Sequence, residues 1–357
     1  MKISDKFEFF NESDVNAVSN VLRGKKLSGT SKVVLDYEDK LSEFFKSQYA
    51  VASSSGTAVI QVALFSLGVK KGDEVIVSSV CPSMSIVSII ALGAKPIFCD
   101  TSPNSFGLDI NDLKKIINSK TKAVIEVPMW GYPTDVIKLK NFLSKYNIPL
   151  LLDLAQAHGT KLNGEYLSNF GDISCFSTHD RKILPTGEGG FALTNNQKYY
   201  DLMQSYTKFG NMNGKDFGLN FKLGSLQAGL GINRLNFVND QLSTRSKNAN
   251  YILSRIKNEK IQEFEITKHG LPNYYTLLMK VKKGSCSDFI EYLDKNNIPS
   301  DIKRYNFKVL YKYPLFKKYK RICKNSEKLS HEITTIPVHP GLGRTELDYI
   351  IEVINNY

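Results

Sequence analysis

Three short segments of this sequence bring together residue types able to do chemistry. The first runs Phe176-Ser177-Thr178-His179-Asp180-Arg181-Lys182-Ile183-Leu184-Pro185-Thr186-Gly187-Glu188-Gly189-Gly190. Lys182 lies there between a strand-like apolar run and a glycine-rich turn around Glu188, and such a turn implies backbone angles that glycine adopts most freely. A lysine held in a pocket loses its proton more readily and attacks carbonyls as an amine. The second segment ends in Asp153, after the apolar run Pro149-Leu150-Leu151-Leu152. A carboxylate at the carboxyl end of a buried parallel strand points into the crevice where α/β proteins bind ligands, and its burial is costly unless a cation answers it. Capping of the next helix is the plainer alternative. The third segment is Ser55-Gly56-Thr57-Ala58 at the start of an apolar-periodic run that Gly68 closes. Unpaired N–H groups and the positive end of a helix dipole favour a phosphate there, with Ser177 as a further contributor.

The elements that must position these residues follow an α/β pattern. Glu74-Val75-Ile76-Val77, Pro96-Ile97-Phe98-Cys99, Ala123-Val124-Ile125-Glu126-Val127 and Pro149-Leu150-Leu151-Leu152-Asp153 are apolar runs bounded by turn formers. Each has the length of a buried strand, which predicts a mostly parallel sheet. Between them, 110–119 and 135–146 repeat apolar residues every three or four positions, as helices do. After about residue 235 the pattern changes to a long helix over 236–258, a strand over 274–281 and a lysine-rich remainder. This predicts a large domain over 1–235 and a smaller C-terminal α+β domain over 236–357.

Composition mainly excludes. A chain of 357 residues with 42% hydrophobic and 23% charged content is neither disordered nor fibrous. Its net charge of +12 suits an anionic partner. However, residues 301–330 hold ten Lys or Arg against two acidic residues, so much of the surplus lies away from the three segments, and no motif points to nucleic acid. Tyr305, Tyr311 and Tyr313, interleaved with basic residues, read as a solvated face. Cys81, Cys99, Cys175, Cys286 and Cys323 are scattered without a C-x-x-C pair; they read as buried hydrophobes in a reducing cytoplasm, not as metal ligands. The stretch Met1-Lys2-Ile3-Ser4-Asp5-Lys6 lacks the apolar core and small-residue cleavage site of a signal peptide, so none is expected, and no run approaches the length of a membrane helix. No metal, membrane or nucleic-acid partner is expected.

A pocket lysine, a buried carboxylate and a phosphate cradle in one α/β domain form the set that holds pyridoxal 5'-phosphate: the lysine as Schiff base, the carboxylate on the pyridine nitrogen, the cradle on the phosphate. These segments, with Gly72-Asp73-Glu74-Val75-Ile76-Val77, Asp153-Leu154-Ala155-Gln156-Ala157-His158-Gly159, Gly218-Leu219-Asn220-Phe221-Lys222-Leu223, Gln227-Ala228 and Arg245, resemble in order and spacing the DegT/DnrJ/StrS sugar aminotransferases of pyridoxal-phosphate fold type I. The resemblance implies that Lys182 is the Schiff-base lysine and proton shuttle; members with histidine there are dehydratases, so lysine favours amino transfer. It implies Asp153 at the pyridine nitrogen, Gln156 near the phenolic oxygen, Gly56, Thr57 and Ser177 at the phosphate, and Asn220 reaching the phosphate of a neighbouring subunit. The partners so implied are an amino acid donor, glutamate by default, a keto substrate carrying phosphate, and a second copy of the chain in a homodimer with shared sites.

The chain also departs from that pattern. Pro82 falls where the family has an aromatic residue stacked on the pyridine ring, and Asn220-Phe221-Lys222 replaces Asn-Tyr-Arg. Tyr313-Pro314-Leu315-Phe316 stands where many nucleotide-sugar members have Pro-Leu-His. His179, Arg181 and Lys222 are candidate contacts to an anionic or hydroxylated substrate. The default acceptor is a nucleotide-linked keto sugar; a small phosphorylated ketone such as dihydroxyacetone phosphate, or sugar dehydration in place of amino transfer, are the alternatives. His158 is expected to pack behind the site, and Trp130 to be a core aromatic.

Overall fold

The computed structural model describes residues 1–8 and 10–357. Helices α1 (Glu12–Arg23) and α2 (Lys32–Phe45) precede a seven-stranded sheet. Its strands are β1 (Tyr49–Ser53), β2 (Glu74–Ser78), β3 (Lys95–Cys99), β4 (Thr121–Glu126) and β5 (Leu150–Asp153) and, after the short pair β6 (Lys161–Leu162) and β7 (Glu165–Tyr166), β8 (Ile173–Ser177) and β9 (Gly190–Thr194). The order is β1-β9-β8-β5-β4-β2-β3. Strands β3, β2, β4, β5 and β8 pair in parallel, while β9 runs antiparallel to both β8 and β1. All four apolar runs singled out in the sequence are parallel strands.

Parallel neighbours need crossover connections, which here include α3 (Gly56–Ser66), α4 (Ser83–Ala91), α5 (Ile110–Ile116) and α6 (Val136–Ser144). Helices on both faces explain why these strands read as continuous apolar runs instead of alternating ones. In β5, Leu151 joins the core shared with Val59 of α3 and Ile86 of α4. Leu150 and Leu152 join the opposite core, with Leu41 of α2 and Leu143 of α6. Each fully buried leucine contributes about 1.5–3 kcal/mol, so β5 is fixed on both sides. Because side chains alternate along a strand, Asp153 emerges on the α3/α4 face.

Helices α7 (Gln197–Thr207), α8 (Ser225–Leu235) and α9 (Val238–Leu253) lead on to β10 (Ile261–Glu263), β11 (Gly270–Leu271) and β12 (Leu277–Val281). After α10 (Cys286–Lys295), α11 (Asp301–Arg304) and α12 (Lys324–Glu332) come β13 (Ile333–Ile336) and α13 (Arg344–Asn355). Strands β10-β12-β13 form an antiparallel sheet, and β11 pairs with β6. The strand expected from residue 274 begins at Leu277 instead. Tyr274 has φ of 49°, a left-handed angle incompatible with a strand, and the kink leaves Tyr274 and Tyr275 free of the sheet. The tyrosine-rich C-terminal stretch is not one solvated face: Tyr305 is exposed, but Tyr311 is buried and its hydroxyl donates to Glu327 Oε1 at 2.8 Å. All five cysteines are free and buried. Among the described residues no helix is long and apolar enough to cross a membrane.

Candidate active site

Asp153 is buried at the end of β5, where Ser85 of α4 donates to its Oδ2 at 2.6 Å and the Ala155 N–H to its Oδ1 at 3.2 Å. Burial pushes its carboxyl above the usual range; the Ser85 bond, the Ala155 bond and the charge of Lys182 pull the other way. Lys182 answers this carboxylate from the loop after β8. Burial lowers the ammonium pKa, the charges of Asp153 and Asp301 raise it, and neighbouring Arg181 lowers it. The lysine is therefore biased towards the free amine that carbonyl attack needs. Its Nζ lies 5.4 Å from the centroid of the Tyr275 ring.

The glycine turn that follows has the backbone the sequence implied. Gly187 and Gly189 have φ of 85° and 149°, and a Cβ on Gly189 would lie 2.5 Å from Thr178 Oγ1. Gly189 O accepts from Thr178 N at 2.9 Å, and Gly187 O from Asp180 N at 2.8 Å. These bonds fold the loop that carries Lys182 back on itself. At the start of α3, Ser55 Oγ accepts from Ala58 N at 3.0 Å, leaving first-turn N–H groups outside the helical ladder. A Cβ on Gly56 would meet Ser177 Cβ at 2.7 Å. Glycine thus allows the helix start and the end of β8 to touch, bringing Gly56, Thr57 and Ser177 to one place.

Gln156 Oε1 accepts from the Trp130 N–H at 2.7 Å. This bond supports a residue at φ of 50°, a conformation costing about 1–3 kcal/mol. Trp130 is a core aromatic, packed edge-on against Phe106 and Phe307. His158 packs beside Phe176, ring centroids 5.0 Å apart, and burial drops its pKa to about 3. It is a neutral ring behind the site.

The remaining candidates are spread more widely. Arg181 Nη2 binds Asp5 Oδ2 at 2.6 Å, and His179 Nε2 lies 3.8 Å from Glu188 Oε1. Lys222 Nζ donates to Asn220 Oδ1 at 2.7 Å and sits 4.3 Å from the Phe209 ring centroid. Asn220 is exposed, and Lys222 turns to Asn220 and Phe209 and not to Lys182. Pro82 occupies the N-cap position of α4 without a side-chain cap. Sequence reasoning missed Ser85, Asp301 and Tyr275. Ser85 sits in an apolar helix without a pattern of its own, and the other two arrive from the far end of the chain.

Residues 9–355 match the model of the DegT/DnrJ/EryC1/StrS aminotransferase family. The chain belongs to this family. It is accordingly a pyridoxal-phosphate-dependent aminotransferase, and what the sequence resemblance implied about fold, cofactor and reaction class holds. The chain is 27% identical to the GDP-perosamine synthase of Escherichia coli O157:H7 over 95% of its length and 94% of that protein's. It is 27% identical to the UDP-2-acetamido-2-deoxy-3-oxo-D-glucuronate aminotransferase of Pseudomonas aeruginosa over 95% and 94%. The crystal structure of an aminotransferase from Psychrobacter cryohalolentis superposes with a TM-score of 0.90 at 25% identity, covering 98% of this chain and 97% of the other. The residues present fit the family's cofactor: a buried carboxylate that can accept from a ring N–H, a lysine biased to its free amine, and a glycine-bared helix start against Ser177. Among the described residues no cluster of His, Cys, Asp or Glu could hold a metal ion.

Proposed function

We propose that this aminotransferase moves an amino group from glutamate to a keto carbon of a nucleotide-linked sugar. The observation that carries the reading is the placement of Lys182 between the charges of two carboxylates, Asp153 and Asp301; relatives aligned over almost the whole chain bear names of GDP-, dTDP- and UDP-sugar enzymes. When bound, the cofactor supplies a carbonyl for the amino group and a ring that withdraws electrons from the adjacent carbon. Asp153 would hold the cofactor's pyridine N–H and so favour the cationic ring, and the bond from Ser85 favours the ionised form of Asp153. Lys182 Nζ takes the proton from the donor's α-carbon and returns one to the opposite end of the C–N unit, as base and then acid. Gln156, held by the Trp130 N–H, would border the cofactor's phenolic oxygen, and Gly56, Thr57 and Ser177 would hold its phosphate. His179, Arg181 and Lys222 exchange their present partners for oxygens of the acceptor.

The homodimer belongs to the same proposal. Phe209, Met212 and Phe217 are 46%, 82% and 66% exposed on the segment that leads to Asn220, an apolar surface suited to a second copy. Asn220 then reaches the neighbouring site. The division into a large domain over 1–235 and a smaller one over 236–357, and residence in the cytoplasm, complete the reading. Adding glutamate should bleach the visible band of the purified enzyme and release 2-oxoglutarate. Nucleotide-linked keto sugars should then restore the band faster than dihydroxyacetone phosphate, and the reverse ranking would replace the acceptor.

A further inference from the structure

The N-terminal segment runs along the cleft of Lys182 as a strap that is pinned on both sides of Asp5. Ile3 is buried, and its N–H donates to Asn297 O at 3.1 Å. Ser4 O accepts from His339 Nε2 at 3.0 Å, and Lys6 Nζ lies 2.6 Å from Asp180 Oδ2. These contacts hold the strap without the Asp5 side chain. Asp5, Lys6 and Phe7 line the cleft together with Arg181, Lys182 and Asp301. Within it, Asp5 Oδ2 accepts from Arg181 Nη2 at 2.6 Å, and the same oxygen pairs with Arg304 Nη2 from the end of α11. Among the described residues no other carboxylate comes within ion-pair distance of either guanidinium; the charge of Asp301 acts on Arg181 only from farther away.

Two guanidinium groups drawn to a single oxygen are poorly balanced. One negative charge faces two positive ones, and the two cations repel each other at this separation. A guanidinium is a planar fork that fits two oxygens of an anion, and one shared atom cannot give that fit to both arginines. A phosphate group can, because it offers more oxygens and more charge. The arginines are within reach of a ligand: the side chains of Arg181 and Arg304 are 23% and 36% exposed. Rotation of the Asp5 side chain frees both without moving the pinned strap. Arg181 directly precedes Lys182, so an anion held there belongs to a molecule that lies against the reactive lysine. We propose that Arg181 and Arg304 form a phosphate subsite of this cleft, which Asp5 fills until the diphosphate of the acceptor takes its place.

This inference rests on the nucleotide-linked acceptor of the proposed function, and the test keeps the two apart. Inorganic diphosphate is titrated by calorimetry into the holoenzyme, so that the cofactor's own phosphate site is taken. Asp5→Asn keeps the size of the side chain and removes the competing charge; it should bind diphosphate at least about fivefold more tightly than the wild type, and Arg304→Gln at least about fivefold more weakly. Lys6→Gln loosens the same strap without vacating the arginines and should stay within about twofold of the wild type. Melting temperatures recorded alongside show which variants are folded, and Asp5→Ser replaces Asp5→Asn if the latter is not. Binding by Asp5→Asn that is equal or weaker, unchanged binding by Arg304→Gln, or an equal gain in Lys6→Gln overturns the subsite. So does a raised KM for glutamate in Arg304→Gln with diphosphate affinity unchanged, which would assign the pair to a carboxylate of the donor. If the affinities shift as expected but no nucleotide-linked keto sugar restores the visible band, the phosphate subsite stands and the acceptor of the proposed function falls.

Discussion

The hydroxyl of Ser85 and the carboxylate of Asp153 meet at 2.6 Å, neither of them open to solvent. This contact joins α4 to the end of β5 and stabilises the ionised form of a carboxyl that burial alone would neutralise. A hydrogen bond to a charged group contributes about 1.5–3 kcal/mol. Replacing Ser85 with alanine should therefore raise the Asp153 pKa further and lower kcat by about tenfold or more, whereas Ser85→Thr keeps the donor. Steady-state kinetics of the two variants against the wild type check this.

Gly56 touches Ser177 so closely that one methyl group has no room. Gly56→Ala should push α3 off the end of β8, destabilising the fold by about 1–3 kcal/mol and weakening cofactor binding by tenfold or more. Ser177→Gly on the same chain removes the clash and should restore the melting temperature. Cofactor affinity would recover only in part, because the serine hydroxyl is lost from the phosphate. Thermal melting and cofactor titration separate the two effects.

Glu126 lies buried on β4 with its Oε2 accepting from Leu108 N at 3.2 Å, and burial raises its pKa to about 7. The folded state thus binds this proton more tightly than the unfolded chain, whose carboxyl titrates at about 4.3. The contribution is favourable at low pH and is lost as pH rises from about 4.5 to 7. His158 acts in the opposite sense: its folded pKa of about 3 costs stability as pH falls below about 6.5. Glu126→Gln removes only the first dependence. The variant should gain melting temperature relative to the wild type at pH 8, by an amount worth on the order of 1–3 kcal/mol, and gain little at pH 4.5.

What could be read from the sequence was what lies within one element. The runs ending at Val77, Cys99 and Asp153 declare buried parallel strands because both faces of the sheet are covered, and Lys182 stands out through the glycine turn beside it. The site's supporting partners had no such signal. Ser85 is one serine on an apolar helix, and Asp301 starts a helix of four residues, Asp301–Arg304, more than a hundred positions after Lys182. Tyr275 reaches the lysine because Tyr274 breaks the strand with a left-handed angle. Arg181 and His179, attractive for their place beside Lys182, engage Asp5 and Glu188 instead, and that pairing depends on where the N-terminal segment and the glycine turn fold.

The central claim is that Lys182 is the amine that holds the cofactor and moves the proton. Visible absorption of the purified protein, recorded before and after addition of glutamate, tests it most directly when wild type and Lys182→Ala are compared side by side. The wild type should show a visible band that glutamate bleaches, and Lys182→Ala should lack the native band and give no 2-oxoglutarate. A Lys182→Ala protein that keeps the same band and the same glutamate-driven bleaching would contradict the account.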